Sequence, residues 1–146
     1  MKSRILVVDD DVDLLELLRG SLENLGYVVR TVTTGEAALQ QVIAFTPNLI
    51  ILDLMLPQMN GFAVCEQLRS RPATVTTPII MVTALTGEFP RMEGMHSGCS
   101  AYISKPFQMQ ELLAQVADLL ARPVVLPGIS VAPVKSTTQN RPRRSS

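Results

Sequence analysis

Ile5-Leu6-Val7-Val8-Asp9-Asp10 and Leu49-Ile50-Ile51-Leu52-Asp53 have the same form: four consecutive apolar residues ending on acid. A continuous apolar run, unlike an alternating one, suits a parallel strand buried on both faces. Two more stretches follow the pattern. Ile79-Ile80-Met81-Val82 precedes Thr83, and Ala101-Tyr102-Ile103 runs into Ser104-Lys105-Pro106. Open parallel α/β sheets bind their ligands in the crevice outside the carboxyl ends of the strands. Asp9, Asp10, Asp53, Thr83 and Lys105 are therefore expected to converge on one site. Three carboxylates against one lysine leave surplus negative charge, which a hard divalent cation such as Mg²⁺ on oxygen ligands would offset.

Helical periods fill the gaps between these strands. Leu14, Leu18, Leu22 and Leu25 recur at helical spacing, and Gly26 stands where a left-handed C-terminal cap belongs. Tyr27 to Val32 reads as a strand. Thr33-Thr34-Gly35-Glu36 has capping-box spacing and opens a helix through Ala37, Leu39, Val42 and Ile43, ended by Pro47. Pro57 to Gly61 is expected as a loop, with Asn60-Gly61 a turn and helix start before Phe62, Val64, Cys65 and Leu68. A fourth helix is expected from near Pro90 to Gly98, and a fifth through Leu112, Leu113, Val116, Leu119 and Leu120. Five strand–helix pairs predict an α/β fold with a single five-stranded parallel sheet, helices on both faces and right-handed crossovers, the flavodoxin-like doubly wound arrangement.

The 146 residues are 47% hydrophobic, enough for one core and too few for two. No apolar stretch approaches the roughly 20 residues of a membrane span, and the run after Met1-Lys2-Ser3-Arg4 is cut short by acids, so a cytoplasmic protein is expected. Cys65 and Cys99 have no metal-ligand spacing and read as reduced, buried thiols. The formal net charge is zero, but all thirteen acids and only eight of the basic residues lie in residues 1–121, a net charge of −5. Residues 122–146 hold five basic residues, no acid, and Pro123, Pro127, Pro133 and Pro142. The folded domain is therefore expected over 1–121, with 122–146 a flexible, basic, Pro/Ser/Thr-rich linker or tail.

The blocks Ile5 to Asp11, Leu52-Asp53-Leu54-Met55-Leu56-Pro57-Gln58-Met59-Asn60-Gly61, Val82-Thr83-Ala84 and Tyr102-Ile103-Ser104-Lys105-Pro106-Phe107, in this order and spacing, resemble the receiver domain of two-component response regulators. The similarity runs from about Lys2 to Ala121. It implies that Asp53 accepts a phosphoryl group from the phosphohistidine of a sensor histidine kinase, with Lys105 and Thr83 bonding phosphoryl oxygens. It implies Mg²⁺ held by Asp9, Asp10, Asp53 and the backbone carbonyl of Met55. Thr83 and Tyr102 would form the switch, and the fourth helix, fifth strand and fifth helix the surface that responds. A cis Lys105–Pro106 bond is also implied, where sequence alone leaves trans as the default.

Taken singly, these residues have plainer readings. Asp9 and Asp10 would suit the positive end of a helix, Thr83 a turn, Lys105 open solvent; the lone His96 reads as a surface residue. Their expected convergence at one sheet edge favours the shared site. A strand-end aspartate phosphatase would want a second acid two residues on, where this chain has Met55. A nucleotide site would want a glycine-rich loop where Asp9-Asp10-Asp11 stands. The chain is thus expected to be a phosphoacceptor that assists its own chemistry, not a turnover enzyme. Output is expected through a DNA-binding effector beyond Ser146 that regulates transcription, the alternative being a stand-alone relay that acts by docking. Met55 and Leu85, the positions best placed to orient a hydrolytic water, are apolar, which predicts slow phosphate loss. Homodimerisation through the switch surface is a further expectation, weakened because Ser97, Ser100, Ala101 and Gln115 stand where charges would pair, leaving Arg91, Glu111 and Arg122.

Overall fold

The computed structural model describes residues 2–85 and 87–122. The tail expected at 122–146 lies outside the described residues apart from Arg122. Ten elements alternate: β1 (Arg4–Val8), α1 (Val12–Asn24), β2 (Val28–Val32), α2 (Gly35–Phe45), β3 (Leu49–Asp53), α3 (Gly61–Arg69), β4 (Ile79–Thr83), α4 (Glu88–Ser97), β5 (Ala101–Ser104) and α5 (Met109–Ala121). The strands form one parallel sheet, as the sequence predicts, in the order β2-β1-β3-β4-β5.

Successive strand residues face opposite sides, which explains why whole runs are apolar. Ile5, Val7, Leu49, Ile51, Ile80 and Val82 pack with α1 and α5; Leu6, Val8, Ile50, Leu52, Ile79 and Met81 pack with α2 and α3. The chain steps outward from β1 to β2, then returns to β3 on the other side of β1. The reversal opens a crevice beyond the carboxyl ends of β1 and β3.

Helix details differ from the sequence expectation in three places. The buried stripe of α1 is Leu15, Leu18 and Leu22, while Leu25 is exposed at the C-cap; Gly26 does take the left-handed conformation, φ 96°. The N-cap of α2 is Thr34, whose hydroxyl accepts from Ala37 N, so Thr33 and Glu36 do not form the expected capping box. Ala38, Leu39, Val42 and Phe45 form the buried face of that helix, and Ile43 is 74% exposed. Helix α4 begins at Glu88 rather than Pro90. Pro90 sits in the first turn, where its missing N–H would have had no intrahelical partner.

Two connections fix the loops that shape the crevice. Asn60 caps α3 by accepting from Ala63 N, and Gly61 N donates to Leu54 O at 2.8 Å. A Cβ on Gly61 would lie 2.5 Å from Asp53 O and 2.7 Å from Leu54 Cα. Farther round, Arg69 at the end of α3 donates from Nε to Gly98 O (2.8 Å), from Nη1 to Thr74 O and Thr77 O (3.1 and 2.7 Å), and from Nη2 to Ser100 Oγ (3.4 Å). Ser100 Oγ also accepts from Ile79 N, and the buried Ser97 hydroxyl donates to Gly94 O. These two serines are tied into the fold rather than presented on an outer face. Cys65 and Cys99 are buried, free thiols, both with pKa pushed up by burial, that of Cys99 to about 11.

Because backbone atoms surround Gly61, Gly61→Ala is expected to force the β3–α3 loop away from Asp53. The cost should be about 1–3 kcal/mol, the usual range for overpacking. Urea unfolding should show the loss as a lower midpoint with an unchanged slope.

Candidate functional site

Each strand of the central crevice ends on or runs directly into a polar residue, and one local device holds three of them. Asp9 Oδ1 accepts from Asp11 N at 2.9 Å, Asp53 Oδ1 from Met55 N at 3.1 Å, and Thr83 Oγ1 from Leu85 N at 3.2 Å. In every case the amide comes from two residues on, as in an Asx or Ser/Thr turn. Asp11 is in turn the N-cap of α1, accepting from Leu14 N.

Asp9 and Asp53 are 3% and 4% exposed, whereas Asp10 is exposed. Carboxylate oxygens of Asp9, Asp10 and Asp53 all lie within 4.8 Å of one another. Lys105 Nζ reaches both buried acids, 2.8 Å from Asp9 Oδ2 and 3.4 Å from Asp53 Oδ2. Its backbone N–H donates to Thr83 O at 2.7 Å, and the Lys105–Pro106 bond is cis. Thr83 is fully buried on β4, next to the Val82 that pairs with Asp53. Tyr102 stands apart from the acids; its hydroxyl donates to Leu85 O at 3.3 Å.

The structure thus brings Asp9, Asp10, Asp53 and Lys105 into one cluster, with Thr83 on the adjoining strand and Tyr102 linked through the backbone of Leu85. That bridge was not legible beforehand, because it is made by main-chain atoms that any residue carries. The turn amides had a signal, an Asp or Thr ending a strand. The lysine lies nearer Asp9 than Asp53, although the resemblance assigns it to the phosphoryl group.

The cluster suits a hard cation: all its side-chain donors are oxygens, and two buried carboxylates and an exposed one face a single ammonium. Burial pushes the Asp53 carboxyl above the ordinary carboxylate range; the Met55 N–H opposes the rise, Asp9 adds to it, and Lys105 offsets part of it. Burial would lower the Lys105 ammonium, but its bond to Asp9 and the charges of Asp53 and Asp9 outweigh burial and raise it. Beside the cluster, a cleft of about 400 Å³ is lined by Asp10, Met55, Leu56, Phe62 and Leu85. On the α1 side another, of about 480 Å³, is lined by Leu14, Leu17, Ala84, Lys105 and Phe107.

Residues 5–117 match the family model of the response regulator receiver domain. The chain belongs to this family. It is 42% identical over 122 residues to the alkaline phosphatase synthesis transcriptional regulatory protein PhoP of Bacillus subtilis, covering 84% of this chain and 50% of that one. It is 44% identical over 122 residues to the DNA-binding response regulator MtrA of Mycolicibacterium paratuberculosis, covering 84% and 53%. The receiver therefore spans about half the length of the curated relatives it matches. Among solved structures, the chemotaxis response regulator CheY4 of Vibrio cholerae superposes with a TM-score of 0.77 at 28% identity, over 82% of this chain and 99% of that one. The receiver domain of Francisella response regulator 1452 gives 0.76 at 28%, over 82% and 97%. No helix among the described residues is long and apolar enough to cross a membrane.

The raised pKa of Asp53 has a consequence for stability. Its protonated form is favoured by folding, so the stabilising contribution is full below the unfolded value of about 3.9 and is lost as pH rises through the higher folded value. Asp53→Asn is expected to melt above wild type at neutral pH in chelator, with the gap closing near pH 3.5, roughly below the unfolded pKa. Thermal melts across that range check it; a mutant less stable at neutral pH contradicts it.

Proposed function

We propose that this receiver accepts a phosphoryl group on Asp53 from the phosphohistidine of a sensor histidine kinase. The observation that carries the reading is a single nucleophilic carboxylate, 4% exposed, with one oxygen fixed by Met55 N–H and the other beside Lys105, in a cluster with two further acids. An oxygen lone pair of Asp53 forms the O–P bond as the N–P bond breaks, and the imidazole departs with the bonding electrons. Little covalent work falls to the protein, so rate comes from placement and charge.

Asp9, Asp10, Asp53 and the Met55 carbonyl would hold Mg²⁺, which supplies positive charge against the phosphoryl oxygens. Lys105, freed from its contact with Asp9, pairs with one phosphoryl oxygen, and the Thr83 hydroxyl donates to another. The aspartyl phosphate then biases Thr83 and Tyr102, and through them the surface of α4, β5 and α5. This is stoichiometric signalling in the cytoplasm rather than turnover of an external substrate. Relatives that the match covers to about half their length, one named a transcriptional regulatory protein and the other a DNA-binding response regulator, support an output in transcription through a DNA-binding effector beyond this chain.

Incubation with Mg²⁺ and acetyl phosphate is expected to add one phosphoryl mass to wild type and none to Asp53→Asn, read by intact mass. Labelling of the mutant at the wild-type level overturns the assignment.

Lifetime follows from the cleft wall. Met55 and Leu85, 53% and 39% exposed, line it beside Asp10, and neither side chain can orient a water by hydrogen bonding. The phosphoryl group is therefore expected to hydrolyse slowly. Met55→Asn with Leu85→Gln should accelerate its loss at least about tenfold, a modest share of what positioning can contribute. Decay after donor removal, with Mg²⁺ present, measures it; an unchanged half-life places control of water elsewhere.

A further inference from the structure

Gly94 is an odd choice for the middle of α4. Glycine is a poorer helix former than alanine, and Gly94 is not one of the positive-φ glycines, which are Gly26, Gly87 and Gly98. Its backbone gives no reason to exclude a side chain, but its neighbour does. A Cβ at position 94 would stand 3.0 Å from Cδ2 and 3.2 Å from Cε2 of Tyr102, closer than carbon atoms normally pack.

The ring on that bare patch is also the ring whose hydroxyl donates to Leu85 O, while Leu85 N donates to Thr83 Oγ1. A continuous line of contact therefore joins Gly94, Tyr102, Leu85 and Thr83. The Thr83 oxygen accepts one hydrogen bond in this line and keeps its own hydrogen to give. We infer that Gly94 is a positioning residue: the missing side chain on α4 is the seat of the Tyr102 ring, and the seated ring, through the Leu85 backbone, holds Thr83 ready to donate to a phosphoryl group on Asp53. The inference rests on the Asp53 reading above. It extends that reading to a residue that touches neither phosphoryl group nor metal ligand.

The test uses the whole chain with 3-fluorotyrosine in place of tyrosine. Tyr27 and Tyr102 are the two tyrosines, so Tyr27→Phe leaves one reporter. Gly94→Ala is expected to move the Tyr102 fluorine resonance and to increase its broadening by a dissolved paramagnetic chelate, with no phosphodonor present. The same substitution should slow Asp53 labelling by acetyl phosphate about fivefold, the lower end of typical coupling between sites. In a Tyr102→Ala background, where no ring needs the seat, Gly94→Ala should leave the labelling rate unchanged.

An unmoved resonance, or an equal rate effect in both backgrounds, overturns the inference, because glycine would then serve α4 alone. Absence of Asp53 labelling in every variant, wild type included, defeats the phosphoacceptor reading and with it the role of the seat. The fluorine spectrum would still report whether the seat exists. Should Gly94→Ala melt below wild type, Gly94→Ser gives a second filled seat for the same comparison, and a normal resonance there counts against the inference.

Discussion

Asp9 and Asp53 are buried side by side, and the ammonium of Lys105 reaches both. Two buried carboxylates are tolerable only with compensation, and removing one partner of such a cluster leaves charge stranded in a poor dielectric. Much of the architecture is a solution to that problem. Asp9 and Lys105 are 96 residues apart, and their strands are separated by β3 and β4. At strand spacing that is roughly 14 Å, farther than a lysine side chain extends. The segment after β5 has to lean back over the sheet edge, and the bond from Lys105 N to Thr83 O holds the start of it there.

The acids are constrained just as closely. One carboxylate oxygen of Asp9 and one of Asp53 is occupied by a turn amide, leaving the other for Lys105. Charge and backbone thus fix different oxygens of the same group. Such division fixes the orientation of the Asp53 carboxylate in advance, and on the proposed function that preorganisation costs nothing at the moment of reaction. Gly61 belongs to the same arrangement, since only its lack of a side chain lets α3 start so close to the backbone of Asp53.

The sequence made the strands and the converging acids legible because burial on both faces and position at a strand end leave direct compositional traces. Helix faces were harder. A leucine such as Leu25 keeps the helical period yet falls past the end of α1, and Ile43 keeps the composition yet points to solvent; period alone does not set phase. Thr33 and Thr34 are chemically alike, and only the start of α2 decides which one caps it. Ser97 and Ser100 resembled surface residues because their partners are backbone groups brought near by the fold, Gly94 O for one and Ile79 N for the other. The Leu85 bridge left no trace at all, being main chain on both sides.

Arg69 imposes a mechanical asymmetry on α4. It grips the carbonyl of Gly98, just past the last residue of that helix, while among the described residues the other end has no side-chain cap. With a rise of 1.5 Å per residue, Gly94 lies about 6 Å from this anchor and Glu88 about 15 Å. A rigid rotation of α4 about that anchor would move Glu88 roughly 2.5 times as far as Gly94, a ratio fixed by the helix pitch. The anchor is a guanidinium whose bonds go to three carbonyls and a serine hydroxyl, none of them part of the acidic cluster.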